Sequence, residues 1–219
     1  NSGSNFQNIG NNSTYSGANT ATLTITGATP SMNGYLYRCL INGECASSAS
    51  SDVVTITMNT PPNVTTDPVN KAICPGANTS FSAAATGTGV TYRWQVNDGS
   101  SWANVTNSGV YSGATTTTLN ITAAPYSMNG YQYRCVVTGT CNPKDTTAPA
   151  TLTVHAVPAV TGSPANTVVC PGANTSLSAS GSGTGIAYQW QVIFPSSGGW
   201  INVVDGGVYT GATTPTLNF

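Results

Sequence analysis

Charge is the first thing this sequence lacks. Of its 219 residues, 5 are Lys or Arg, 6 are Asp or Glu and 1 is His, so charged side chains make up 5% of the chain, against about 25% in an average globular protein. Five cations cannot supply the phosphate contacts that drive nucleic-acid binding, nor a polybasic membrane patch. No nucleic-acid partner and no direct membrane insertion are expected. No run approaches the roughly 18 apolar residues of a membrane span. An amino-terminal signal pattern is also missing, which places any export signal outside residues 1–219. With His155 as the only histidine, no Ser-His-Asp or Cys-His set can be assembled, so neither an enzyme nor a cofactor is expected.

What is present is 39% hydrophobic residues, enough for a core, and a polar fraction dominated by Thr, Ser, Asn and Gly. Those residues favour strands and turns over helices, which predicts an all-β chain. Six cysteines without a Cys-x-x-Cys pair fit an oxidising, extracellular compartment.

The chain repeats itself. Tyr15-Ser-Gly-Ala-Asn-Thr-Ala-Thr-Leu-Thr-Ile-Thr matches the segment from Tyr111 to Thr122, and Ser31-Met-Asn-Gly-Tyr-Leu-Tyr-Arg-Cys39 matches the segment from Ser127 to Cys135, both 96 residues on. Cys74-Pro-Gly-Ala-Asn-Thr-Ser recurs at Cys170 and Tyr92-Arg-Trp-Gln-Val as Tyr188-Gln-Trp-Gln-Val, again 96 apart; an insertion near Pro195 then lengthens the offset to 98. A period of this size means tandem domains, too long for a propeller blade or solenoid turn and suited to a β-sandwich of about 100 residues. Pro-bearing junctions at Thr60-Pro-Pro-Asn63 and His155-Ala-Val-Pro-Ala159 divide the chain. Residues 1–59 read as the C-terminal part of one repeat, 60–156 as a complete one and 157–219 as the N-terminal part of a third. The chain is thus expected to be a window on a longer array.

Within residues 60–156, alternating runs predict strands at 64–66 with 71–74, then 79–85, 91–96, 102–105, 116–122, 131–137 and 151–154. These segments resemble an immunoglobulin-like domain. Trp94 (Trp190 in the next copy) matches the family's central tryptophan, and Tyr133 two before Cys135, like Tyr37 before Cys39, matches its tyrosine corner. The resemblance implies a buried ring whose hydroxyl bonds a backbone group. The motif set as a whole is similar to the tandem immunoglobulin-like repeats of large secreted or cell-surface adhesins of Bacteroidota, over essentially the whole chain. One departure stands out. The position of the family's second-strand cysteine holds Phe81 and Leu177, while Cys74 and Cys170 lie 20 residues before the tryptophan. The candidates for disulfides are Cys39, Cys45, Cys74, Cys135, Cys141 and Cys170. The pair Cys74–Cys135 is favoured, with Cys74–Cys141 and Cys135–Cys141 left open.

Among side chains that could act at a surface, Trp102 and Trp200 occupy the position of Phe6, and Arg38 recurs as Arg134 on an outward strand position. Both are expected mainly to pack locally, with contact to a glycan or another chain as the sharper reading. The six acidic residues do not recur between copies, which argues against a repeated calcium site, and no other metal site is expected. Asp145-Thr146-Thr147 looks like a Bacteroidota O-glycosylation motif, with Thr146 the acceptor. Taken together, the expected role is a structural and adhesive fibre on a bacterial surface, with neighbouring repeats, other copies, or a surface glycan or protein as partners. A carbohydrate- or protein-binding module, or a passive spacer in a larger secreted protein, is the alternative.

Overall fold

Threonine and the aliphatic residues alternate along the longer strands, so these strands have one apolar face to bury and one polar face to hydrate. The computed structural model describes residues 5–44, 47–195 and 198–219, and among these there is no α-helix. Two short 3₁₀ turns occur, Pro30–Met32 and Tyr126–Met128, each ending in an Asn-Gly whose glycine takes positive φ. By contact density the residues fall into two units. One comprises residues 1–66, 84–92 and 136–147; the other comprises 67–83, 93–135 and 148–219.

In the first unit, short antiparallel ladders join Tyr15–Ser16 to Thr24–Ile25, Leu36–Tyr37 to Val54–Thr55 and Leu40–Ile41 to Ala49–Ser50. Asn63–Thr66 pairs with Ala84–Thr86 across a bulge. Asp145–Thr146 pairs with Val136 and Val137. In the second unit, Thr118–Ile121 is flanked by Tyr111–Ser112 and Thr79–Ser82 in a three-stranded sheet. A further sheet orders Trp102–Asn104, Thr91–Asn97, Gln132–Thr138, Ala150–Val154 and Lys71–Ile73, of which residues 102–104, 93–97, 132–135, 150–154 and 71–73 belong to the second unit. Its last pairing is parallel, Leu152 opposite Lys71 and Val154 opposite Ile73.

Phe81, Trp94, Leu119, Ile121, Tyr133, Cys135, Leu152 and Val154 are essentially inaccessible to solvent in the second unit. A smaller cluster there unites Val203, Ala212 and Leu217 with half-buried Trp190, Val192, Tyr209 and Phe219.

The predicted strand over 79–85 divides in two. Its first half follows Thr118–Ile121 and its second follows Asn63–Thr66, with buried Ala83 at the change of partner. The break at Asp67-Pro68, between the predicted strands 64–66 and 71–74, is held by side chains doing what a ladder would do. Asp67 accepts the Ala148 N–H (2.8 Å), Asn70 that of Thr151 (2.8 Å) and Asp145 that of Val64 (2.7 Å).

Candidate functional site

The central tryptophan is held by its indole N–H. Trp94 Nε1 donates to the Thr116 carbonyl at 2.9 Å, and Trp190 does the same to Thr214 at 2.9 Å. Tyr133 stacks on Phe81, with ring centroids 4.7 Å apart. Its hydroxyl does not reach a backbone group, as the tyrosine-corner resemblance implied. It shares a hydrogen bond with the Tyr111 hydroxyl (3.1 Å), and Tyr37 pairs likewise with Tyr15 (3.0 Å). A tyrosine from the Tyr-Ser-Gly-Ala motif thus supplies the polar partner that a buried phenol requires. Burial, reinforced by that hydrogen bond, pushes Tyr133 and Tyr37 well above the ordinary phenol value.

The Tyr-Ser-Gly-Ala motif is itself a turn. Gly113 has φ +77°, and a Cβ there would collide with the Thr118 carbonyl. Thr116 Oγ1 donates between the carbonyls of Gly113 (3.1 Å) and Thr118 (2.9 Å), while Asn107 accepts the Ala114 N–H (2.8 Å). The same set is built by Gly17, Thr20 and Asn11, and by Gly211, Thr214 and Asp205.

On the outward face, Arg134 lies over the Trp102 ring, 4.1 Å from its centroid, and Arg38 lies over Phe6 at 4.3 Å. Arg134 Nε donates to Gln95 Oε1 (2.9 Å), and Gln95 Nε2 donates to Asn104 Oδ1 (3.0 Å). The Gln191–Asn202 pair reproduces the last bond at 2.9 Å. A guanidinium therefore caps the Trp102 ring. Residues 157–219 contain no arginine, and Trp200 is 66% exposed. Sequence reasoning missed Gln95 and Asn104 as members of this face; the recurrence of Gln95 as Gln191 in Tyr-x-Trp-Gln-Val was the available signal.

The cysteines depart from expectation. No disulfide joins the described ones, so the favoured Cys74–Cys135 pair and its intra-repeat alternative Cys74–Cys141 are not formed, nor is Cys135–Cys141. Cys135 is buried in the core, and burial pushes its thiol up to about 11 against an opposing backbone hydrogen bond at Arg93. Cys39, Cys74 and Cys170 are exposed and Cys141 is half-buried; Cys45 lies outside the described residues. The physical reason is placement. Cys74 follows the strand Lys71–Ile73 into an exposed Pro-Gly turn, whereas Cys135 faces inward between the buried Tyr133 and Val137.

The acids serve the backbone. Besides Asp67 and Asp145, Asp98 holds the Ser100 N–H and hydroxyl, bonds that lower its carboxyl, and Asp205 holds the Ala212 N–H. No group of three His, Cys, Asp or Glu among the described residues is arranged to hold a metal ion. Thr146 sits half-buried in a two-residue strand, with its N–H on the Asp145 carboxylate, rather than in an open loop.

No protein-family profile matches the chain. Over 108 residues it is 35% identical to Endoglucanase C of Cellulomonas fimi, covering 49% of this chain and 9% of that protein. The chain therefore spans less than a tenth of the curated relative it matches. Among solved structures it is similar to an I-band fragment of titin, with TM-score 0.61 and 15% identity over 96% of this chain and 73% of that one. It is also similar to Sidekick-1 immunoglobulin domains 1–5, with TM-score 0.50 and 16% identity over 96% and 45%. These likenesses define the class: an all-β chain of tandem immunoglobulin-like β-sandwich domains.

Proposed function

We propose that the chain is a structural and adhesive segment of an extracellular repeat protein, a stiff fibre on a bacterial surface of the Bacteroidota adhesin type. Residues 1–59, 60–156 and 157–219 act as successive repeats in this reading. The observation that carries it is the repeated clamp on the junctions. Thr60 N–H donates to Thr88 Oγ1 (3.0 Å) and Thr88 N–H donates to the Thr60 carbonyl (3.0 Å). Ninety-six residues on, Ala156 and Thr184 make the same two bonds at 2.9 and 3.0 Å. Each linker is fastened to the Gly-Thr-Gly turn of the repeat that follows, which restricts bending more than a Pro-containing linker does alone. A nearly uncharged Ser, Thr and Asn surface makes lateral contacts insensitive to salt, and a row of copies multiplies weak contacts with surface ligands or sister chains.

A second reading, a binding module or spacer within a larger secreted enzyme, is favoured by the likeness to the endoglucanase and by exposed Trp200. Negative-stain microscopy and the reduced mass of the native material separate the two. Long filaments with an axial repeat of one sandwich support the fibre. Short rods that do not associate remove it, and glycan-array binding that is lost in Trp200→Ala establishes the module.

A further inference from the structure

Of the three cysteines in residues 60–156, Cys135 belongs to the core, whereas Cys74 and Cys141 each meet a junction. Cys141 Sγ donates to the Asn59 carbonyl at 3.6 Å. Its neighbour Thr140 donates its N–H to the carbonyl of Thr88, the residue that clamps that junction. Cys74 lies at the other junction, on a groove of about 350 Å³ lined by Pro75, His155, Val157 and Thr184. The Ile73 carbonyl, one residue before Cys74, accepts the His155 N–H at 2.9 Å.

Asn59 and His155 are the same position of the repeat, and so are Thr88 and Thr184. Laid on one junction, the two observations bring both sulfurs to the same linker residue. Cys74 comes from the repeat before it, and the Cys141-type cysteine from the repeat after it. The ladder chemistry agrees. With His155 N–H on Ile73, the next rung of the parallel pairing would carry the residue-155 carbonyl to the N–H of residue 75. Residue 75 is proline and has no N–H, so that carbonyl is open to the thiol that Cys141 places on Asn59. Residues 1–219 bring only one of the two sulfurs to each junction.

We propose that Cys74 forms a disulfide with the Cys141-type cysteine of the following repeat, and Cys141 with the Cys-Pro-Gly cysteine of the preceding repeat, stapling each junction covalently. The inference rests on the tandem-array reading. Two thiols lose two protons and two electrons to a dithiol–disulfide oxidant, whose disulfide is reduced to two thiols as the S–S bond forms.

The test is a disulfide map of the native protein, alkylated at harvest and digested without reduction, beside its reduced mass. The expected result is a Cys74 peptide linked to a Cys141-type peptide of another repeat, lighter than the two separate peptides by two hydrogens, and no alkylation of Cys74 before reduction. The loops after the cysteines differ, Cys45-Ala-Ser-Ser against Cys141-Asn-Pro-Lys, so linkage within a repeat and between repeats gives different masses. Unlinked thiols, or Cys74 joined to Cys135 or Cys141 of its own repeat, in a chain much heavier than 22.2 kDa overturn the staple and leave the array standing. A native chain of 22.2 kDa overturns both.

Discussion

The same motifs stand in very different surroundings in residues 60–156 and in the stretches that flank them. Trp94 is fully buried and Trp190 half-buried; Val137 is inaccessible while its counterpart Ile41 is 62% exposed; Cys135 is buried and Cys39 exposed. Yet the turn around Gly113 has the same hydrogen bonds around Gly17 and Gly211. Turn geometry is local and travels with the twelve residues from Asn107 to Thr118. Burial is non-local: Tyr133 is covered by Phe81 and Trp94 is bonded to Thr116, residues far apart in sequence.

Core truncation should expose this difference most. Trp94→Ala is expected to cost about 3–5 kcal/mol in urea unfolding of the 219-residue chain, and Trp190→Ala distinctly less. Equal losses would break the comparison. Gly113→Ala forces a side chain into positive φ against the Thr118 carbonyl, at a cost of about 1–3 kcal/mol. Because that strain is local, Gly17→Ala and Gly211→Ala should each raise amide exchange across their own turns as much as Gly113→Ala does across its turn.

Alkali sharpens the contrast between the cysteines. Cys135 rises from the ordinary 9.0 to about 11 in the folded chain, so the unfolded chain loses this proton first. Its stabilising contribution is complete below pH 9 and is lost as pH rises through about 11. Cys135→Ser should flatten the decline in stability between those values. At pH 8 a thiol reagent should label Cys39 at once and Cys135 only after unfolding.

Tyr133→Phe deletes one hydroxyl of a buried pair and should cost about 0.5–1.5 kcal/mol, with a smaller loss for Tyr37→Phe, measured by thermal melting. The least effect is expected from Arg134→Ala, about 0.5–1 kcal/mol from the lost stack on Trp102. That substitution should also uncover the indole, read as increased quenching of tryptophan fluorescence by iodide.

Much of the fold was legible in residue order. Alternation placed Thr91–Asn97, Trp102–Asn104 and Gln132–Thr138 within a residue or two, because a period of two has one physical meaning on a half-buried sheet. The division of 79–85 between two partners was not legible, since its Ser and Ala pattern suits either neighbour. Nor was the strand Asp145–Thr146, which is too short to show a period. At the candidate site, Arg134 and Trp102 could be named but their stacking could not. The two lie 32 residues apart and meet only because Thr91–Asn97 runs between their strands.

The sequence by itself determined the all-β class, the 96-residue period and the turns, because side-chain periodicity and glycine's access to positive φ act over a few residues. Only the tertiary structure decided the partners. It paired Tyr133 with Tyr111 instead of a backbone group, sent Cys135 into the core, and left Cys74 on a groove with His155 and Cys141 on the Asn59 carbonyl. Those outcomes depend on which strands lie side by side and which face each residue presents, and linear spacing carries neither.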